Sequence, residues 1–249
     1  MMFEKIIKNL SATIAAVVVF FIVGGMYLSG KGFVMQDNGE IVLVPSAVAQ
    51  EGTGVSQLPV IPDNLVLPGE HSLGKEDAPV VLYEYSSFGC SHCADFHLQV
   101  LPKIKKEYID KGLVKLVFVP FPIDKASMDG ALLAECAAED KYFDFIDILF
   151  KKQRAWKLSR DSQKVLKQFA TLSGVAADQA DACLRNDDTA REILSNRQNA
   201  RSLLGIQGTP SFVISVGGKN ELISGYRLYD DFKAIIDAKM PEKSTENEK

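Results

Sequence analysis

The sequence predicts an α/β chain in which a small mixed sheet is interrupted by an all-helical block. Three observations support this class. Two short β-branched runs flank a helical period between residues 79 and 119, strand signals vanish from about Asp124 to Leu204, and a hairpin signal followed by a last helix closes the chain. With 249 residues, 47 % hydrophobic and 24 % charged, the chain has enough apolar content for one fair-sized core.

The N-terminal segment, residues 1–30, reads as an export element. Lys5 and Lys8 precede an almost wholly apolar stretch from Leu10 to Leu28, about the length needed for a bilayer-crossing helix. Positive residues before the span place the N-terminus on the cytoplasmic side and the bulk of the chain outside. Ala47-Val48-Ala49 before Gln50 has the small-x-small form of a cleavage site but lies far beyond the apolar stretch, so anchor and cleaved signal remain two readings, the anchor preferred. Residues 31–66 mix Gly, Pro, Ser and Gln with short apolar runs and read as a linker. The polar tail 241–249 is expected to fray.

The folded part begins near Leu67. Pro79-Val80-Val81-Leu82-Tyr83-Glu84-Tyr85 reads as a buried strand by length and composition, and the turn-like Ser86-Ser87-Phe88-Gly89 leads into Cys90. From Cys93 to about Tyr108, apolar Phe96, Val100, Leu101, Ile104 and Tyr108 recur at helical spacing, with Pro102 expected to kink the helix. A second strand, Val114 to Val119, follows; two strands joined by one helix form a parallel pair. Residues 67–123 are therefore the first part of one domain. Residues 124–204 form the helical insertion, with helices expected over Ala126–Phe150, Ser162–Ser173, Ala177–Leu184 and Thr189–Leu204, the second capped by Ser159 or Asp161 and ended by Ser173-Gly174. Residues 205–240 complete the domain: Ser211–Ser215 and Glu221–Ile223 flank the turn signal Gly217-Gly218-Lys219-Asn220, and a helix runs from Tyr229 to Lys239.

The chemistry points to Cys90-Ser91-His92-Cys93. Cysteines at i and i+3 on the first turn of a helix bring their sulfurs within bonding reach, and the free N–H groups and partial positive charge of that turn favour a thiolate. His92 adds an imidazole between the two sulfurs. A fall in thiol pKa from about 8.5 to about 4 favours the reduced form by about 4 kcal/mol at pH 7, on the order of 90 mV for a two-electron couple. Two other readings compete: a plain structural disulfide, and a metal site built from Cys90, His92, Cys93 and His97, for which a second cysteine pair would normally be needed. A net charge of −4 offers no basic excess for nucleic acid, so no nucleic-acid partner is expected.

These residues resemble the DsbA-like thiol-disulfide oxidoreductases of the thioredoxin superfamily. The likeness spans about Leu67 to Lys239: Ala78-Pro79-Val80 entering a strand, Glu84-Tyr85-Ser86-Ser87-Phe88 leading to the cysteine pair, a helical insertion, and Gly208-Thr209-Pro210-Ser211-Phe212. It implies a thioredoxin-like fold with an all-helical insertion. It also implies roles: Cys90 and Cys93 as the redox-active disulfide, Cys90 attacking and Cys93 buried; Pro210 as a cis-proline opposite them; and the Thr209 backbone as a substrate-binding element. Glu84 interrupts an apolar strand, and the resemblance places an acid there beneath the cysteines to move a proton, its pKa raised by burial. Cys136 and Cys183 are a structural bridge in some proteins of this type; the other reading is two buried free thiols. His71, Trp156 and Tyr142-Phe143-Phe145 read as packing.

The expected function is a periplasmic enzyme that introduces disulfides into exported polypeptides by dithiol-disulfide exchange. It needs no cofactor and no metal. A membrane redox partner reoxidises or reduces the dithiol, and residues 10–28 anchor the protein in the bacterial inner membrane, or are removed to leave it soluble in the periplasm. Ser91-His92, where the family often has Pro-His, and Thr209 before the proline leave isomerase or reductase as the alternative direction, with a metal-binding module as the remaining rival.

Overall fold

A computed structural model of the chain describes residues 31–35, 41–45, 61–63, 65 and 67–240. The segments 1–30 and 241–249, expected as export element and frayed tail, lie outside the described residues. Among the described residues no helix is long and apolar enough to cross a membrane. The chain divides into two units, Met1–Gln57 and Leu58–Lys249. In the first, within the stretch read as a linker, β1 (Lys31–Met35) and β2 (Ile41–Pro45) pair antiparallel with Phe33 opposite Leu43. The apolar run Ile41-Val42-Leu43-Val44, three of its four residues β-branched, is the local reason.

In the second unit, β3 (His71–Leu73), β4 (Val80–Ser86), β5 (Val114–Pro120), β6 (Ser211–Val216) and β7 (Lys219–Ser224) form one sheet in the order β3-β5-β4-β6-β7. β4 and β5 are parallel, as two strands joined by one helix should be; the other three pairings are antiparallel. β4 is central and buried along most of its length, hence its apolar spelling. Sequence reading missed β3, a three-residue edge strand too short to show a period. Gly217 and Gly218 take φ +56° and +79°, the left-handed geometry that a two-residue hairpin between β6 and β7 demands.

The helical run after Cys90 is broken: α1 (Ser91–Asp95), a π-helical turn Phe96–Val100, α2 (Leu101–Ile104) and a second π-helical turn Lys105–Ile109. Pro102 explains the first break. It has no N–H to donate one turn back, and the widened turn, in which the Leu101 N–H reaches the Phe96 carbonyl, absorbs the mismatch.

The insertion holds α3 (Lys125–Ala134), α4 (Tyr142–Lys151), α5 (Gln153–Lys157), α6 (Ser162–Leu172), α7 (Ala177–Cys183) and α8 (Asp187–Leu203); α9 (Tyr229–Lys239) ends the domain. The single helix expected over Ala126–Phe150 is two. Ala138, at φ −60° and ψ 146°, turns the chain between them, and Cys136 in this break is bonded to Cys183 at the end of α7. Local signals set the ends elsewhere. Asp124 and Ser127 form a capping box on α3, Asp161 accepts the Lys164 N–H to cap α6, and Gly174 at φ +97° follows its end.

Three cores result. The cysteine-bearing helical run and α9 cover one side of the sheet through Phe96, Ile104, Phe212 and Phe232, and α8 brings Ala200 against Tyr85, Val119 and Val213. The insertion packs Trp156, Phe145, Leu149 and Phe150 together with Phe88 and Phe118. At about 1.5–3 kcal/mol for each large side chain fully buried, that third core makes the insertion a rigid wall against the cysteine loop. Replacing Cys136 and Cys183 together by alanine should cost about 2–4 kcal/mol, the loop-entropy scale for this separation, in denaturant unfolding. Cys90 reactivity should be unchanged.

Candidate active site

Cys90 is the N-cap residue of α1, in extended conformation at φ −86° and ψ 123°. A cap normally offers an oxygen to the free N–H groups of the first turn. Here the sulfur takes that place, and the Cys93 N–H donates to Cys90 Sγ at 3.4 Å. The two cysteines are unbonded, Cys90 half-buried and Cys93 fully buried. Across the fold, Thr209–Pro210 is a cis peptide, and the Cys90 thiol donates to the Thr209 carbonyl oxygen at 3.3 Å. Loop and cis-proline meet because β4 and β6 are hydrogen-bonded neighbours, with Tyr85 opposite Ser211.

These contacts split the two thiols. The Cys90 pKa is pulled down to about 6, most strongly by hydrogen bonding from the Cys93 thiol, then by the Thr209 side chain and the backbone N–H groups of Cys93 and His92, with burial opposing. The Thr209 carbonyl serves the protonated sulfur and the donors serve the thiolate, so each protonation state has partners. The Cys93 pKa is pushed far up, chiefly by desolvation and then by Cys90, while the Ser86 side chain and the Ser87 N–H pull the other way. Cys90 is therefore an anion at neutral pH and Cys93 a thiol.

His92 acts on the sulfur through its backbone. Its ring is largely exposed, 3.6 Å from the Asp95 carboxylate and stacked on Tyr226. Glu84 is fully buried, as a mid-strand position flanked by Phe118 and Phe212 in the neighbouring strands requires. Its two carboxylate oxygens each lie 3.0 Å from His97 Nε2. In the sequence His97 stands out only as a candidate metal ligand. It is buried, stacked face to face on Phe150, and its Nδ1 is a buried nitrogen without a hydrogen-bond partner. Removing either member of such a pair typically costs 3–5 kcal/mol, because the other stays buried and unpaired.

With His97 turned to Glu84 and His92 to Asp95, the four groups of the rival metal reading do not converge. A separate trio, Glu70, His71 and Glu135, has ligand atoms within 4.8 Å of one another; His71 Nε2 lies 2.9 Å from the Glu135 carboxylate, which accepts, and the ring stacks on Tyr142. It lies at the start of β3 and the end of α3, with Glu70 exposed, and includes neither cysteine.

Two residues that nothing in the sequence singled out complete the site. Gln153 of α5, buried, donates through Nε2 to the carbonyls of Phe88 at 2.6 Å and Cys90 at 2.8 Å, and Lys157 donates to the Gly89 carbonyl. Gly89 stands where space is tight: a Cβ there would sit 2.8 Å from the Asp124 carboxylate that caps α3, so a larger residue would have to displace that cap.

The geometry predicts a pH profile. Alkylation of Cys90 by iodoacetamide, followed by mass spectrometry on the reduced protein, should rise through a midpoint near pH 6, since the thiolate reacts and forms above that pKa. Cys93 should stay unmodified in the same samples.

The chain is similar to several known proteins. A family model described as Thioredoxin matches residues 67–238. A probable disulfide bond formation protein D of Bacillus cereus is 32 % identical over 182 residues, covering 69 % of this chain and 79 % of that protein. A putative protein-disulfide oxidoreductase of Rickettsia felis is 27 % identical over 208 residues, 83 % of this chain and 73 % of its own length. Other rickettsial relatives are matched over as little as 53 % of their length. Among solved structures, Wolbachia pipientis alpha-DsbA1 superposes with a TM-score of 0.65 at 31 % identity, over 70 % of this chain and 92 % of that one.

Proposed function

This chain belongs to the DsbA-like thiol-disulfide oxidoreductases of the thioredoxin superfamily, and we propose that it is an oxidase that introduces disulfides into exported polypeptides through Cys90 and Cys93. The observation that carries this reading is the split between a Cys90 thiol pulled down to about 6 and a Cys93 thiol pushed up by burial. An ionised Cys90 stabilises the dithiol form and has no counterpart in the disulfide, so it raises the reduction potential. With a pKa of about 6 the gain at pH 7 is at most about 1.4 kcal/mol, on the order of 30 mV, and solvent screening of the half-exposed sulfur lowers it further. Direction thus rests on this thiolate stabilisation together with the rest of the site.

The cycle follows from the two roles. A substrate thiolate attacks Sγ of Cys90 in the Cys90–Cys93 disulfide; the S–S bond breaks, its electron pair goes to Cys93, and Cys93 takes up a proton. A second thiolate of the substrate attacks the substrate sulfur of the mixed disulfide. Cys90 leaves as a stabilised thiolate, and a low thiol pKa makes it a good leaving group. The oxidised substrate departs, and a membrane redox partner accepts the two electrons from the dithiol. Thr209, beside the cis bond, presents its backbone to the substrate chain next to Cys90. The Glu84–His97 pair, joined by contacts of 3.0 Å, is the buried store for the proton that Cys93 gains and loses. The N-terminal segment 10–28 directs the domain to the outer side of the membrane, as anchor or signal.

The reduction potential measured against glutathione buffers tests the direction. An oxidant's value, well above the cytosolic glutathione range, is expected; a value as negative as about −270 mV, typical of a reductant on this fold, overturns the oxidase reading. Catalysed oxidation of a reduced model substrate should be abolished by Cys90→Ser. In Glu84→Gln, attack at Cys90 should persist while reoxidation of the dithiol slows, by about tenfold or more if the pair serves the Cys93 proton. Equal reoxidation rates in the two proteins would remove Glu84 from the mechanism.

A further inference from the structure

The insertion does more than wall off the cysteines. Three successive carbonyls, those of Phe88, Gly89 and Cys90, are all held by one short helix, α5, more than 60 residues away in sequence. Gln153 is 7 % exposed, and its single amide nitrogen has two hydrogens, one for each of the two carbonyls it faces. Lys157 follows four residues later and reaches the carbonyl between them. Trp156, wholly buried, locks the turn that carries both, its indole N–H donating to the Leu149 carbonyl at 2.9 Å.

The consequence falls on Cys90. Its carbonyl accepts from Gln153 and also, at 3.2 Å, from the Ala94 N–H of the first helical turn. Two donors on one oxygen fix the plane of the Cys90–Ser91 peptide, and with it ψ of the cap residue. That angle decides whether the His92 and Cys93 N–H groups face Sγ or miss it. A capping serine or aspartate would draw them in with a strong oxygen acceptor, whereas sulfur is a weak one and cannot enforce the geometry itself.

We propose that the insertion is a clamp on the active-site loop, with Gln153 and Lys157 as positioning residues that set the stability of the Cys90 thiolate. Neither touches the reacting sulfur; both act through the backbone that presents it. This rests on Cys90 being the reactive thiol. It goes beyond the functional reading in assigning part of the redox tuning to the inserted helices instead of the motif.

A merely structural role has a different signature. Gln153 and Lys157 would then only satisfy buried carbonyls, and their loss would lower unfolding stability without moving Cys90. The deciding experiment compares Gln153→Met, close in volume but without donors, Gln153→Glu, which turns acceptors toward two carbonyls, and Lys157→Met, on an exposed side chain. Each full-length reduced protein is followed by circular dichroism, by the pH midpoint of Cys90 alkylation, and by its equilibrium with glutathione.

The expected result for both Gln153 variants is a midpoint raised by about one unit, with alkylation at pH 6 about fivefold slower. The glutathione equilibrium should shift about fivefold toward the disulfide at pH 7. Lys157→Met should move both in the same sense by less. Unchanged midpoints in folded variants overturn the clamp. If Gln153→Met does not fold, Lys157→Met decides: a raised midpoint supports the clamp and an unmoved one overturns it. The wild-type potential tests the direction of catalysis separately, because the shift between variant and wild type is read whatever that potential is.

Discussion

A sulfur anion at the first turn of a helix survives only if the N–H groups around it are held in place, and this constraint organises the domain. Sulfur accepts weakly, so the donors must be pre-positioned by something other than the bond they make. Cys90 caps α1, receives the Cys93 N–H at 3.4 Å and lies 3.3 Å from the Thr209 carbonyl. Each of these distances depends on a different part of the chain. The strand β4 delivers the loop, β6 delivers the cis peptide, and α5 holds the loop carbonyls.

The same logic explains why the two thiols differ although they are three residues apart. Cys90 remains half-exposed among donors, whereas Cys93 is packed against the insertion core beside Phe88 and Phe118. Desolvation acts on the second and hydrogen bonding on the first. A dithiol in which one member ionises easily and the other does not can release a substrate from Cys90 while keeping a proton on Cys93. The cost of this arrangement is a proton that has to cross a dry interior. Glu84 and His97 are the polar pair found there, satisfied by each other except at His97 Nδ1.

The helical insertion is part of the site, through the hydrogen bonds of Gln153 and Lys157 to the loop carbonyls. Its apolar core, centred on Trp156, Phe145 and Phe150, fixes α5 firmly enough for a glutamine and a lysine to act on a loop far away in sequence. Phe150 also stacks on His97, so one helical block supports both the thiolate loop and the buried acid. The Cys136–Cys183 bond joins the break before α4 to the end of α7 within this block.

The sequence by itself determined the elements whose signals are local. The periods of β4, β5, α6 and α9, the Asp161 cap, the Gly217-Gly218 turn and the i, i+3 cysteines at a helix start are all written within a few residues of where they act. The all-helical block was legible in its own periods, and the likeness to a known family added the cis-proline. Tertiary structure alone decided which groups face the sulfur: the His92 backbone N–H instead of its ring, His97 as the partner of Glu84, and Gln153 and Lys157 on the loop carbonyls. It also decided the break after Ala134, whereas the one at Phe96–Val100 follows from Pro102, which the sequence shows. The physical reason is that periodicity and capping depend on neighbours in the chain, whereas a hydrogen bond from α5 to Cys90, or from His97 to Glu84, depends on where packing brings residues distant in sequence. No spacing rule encodes that meeting.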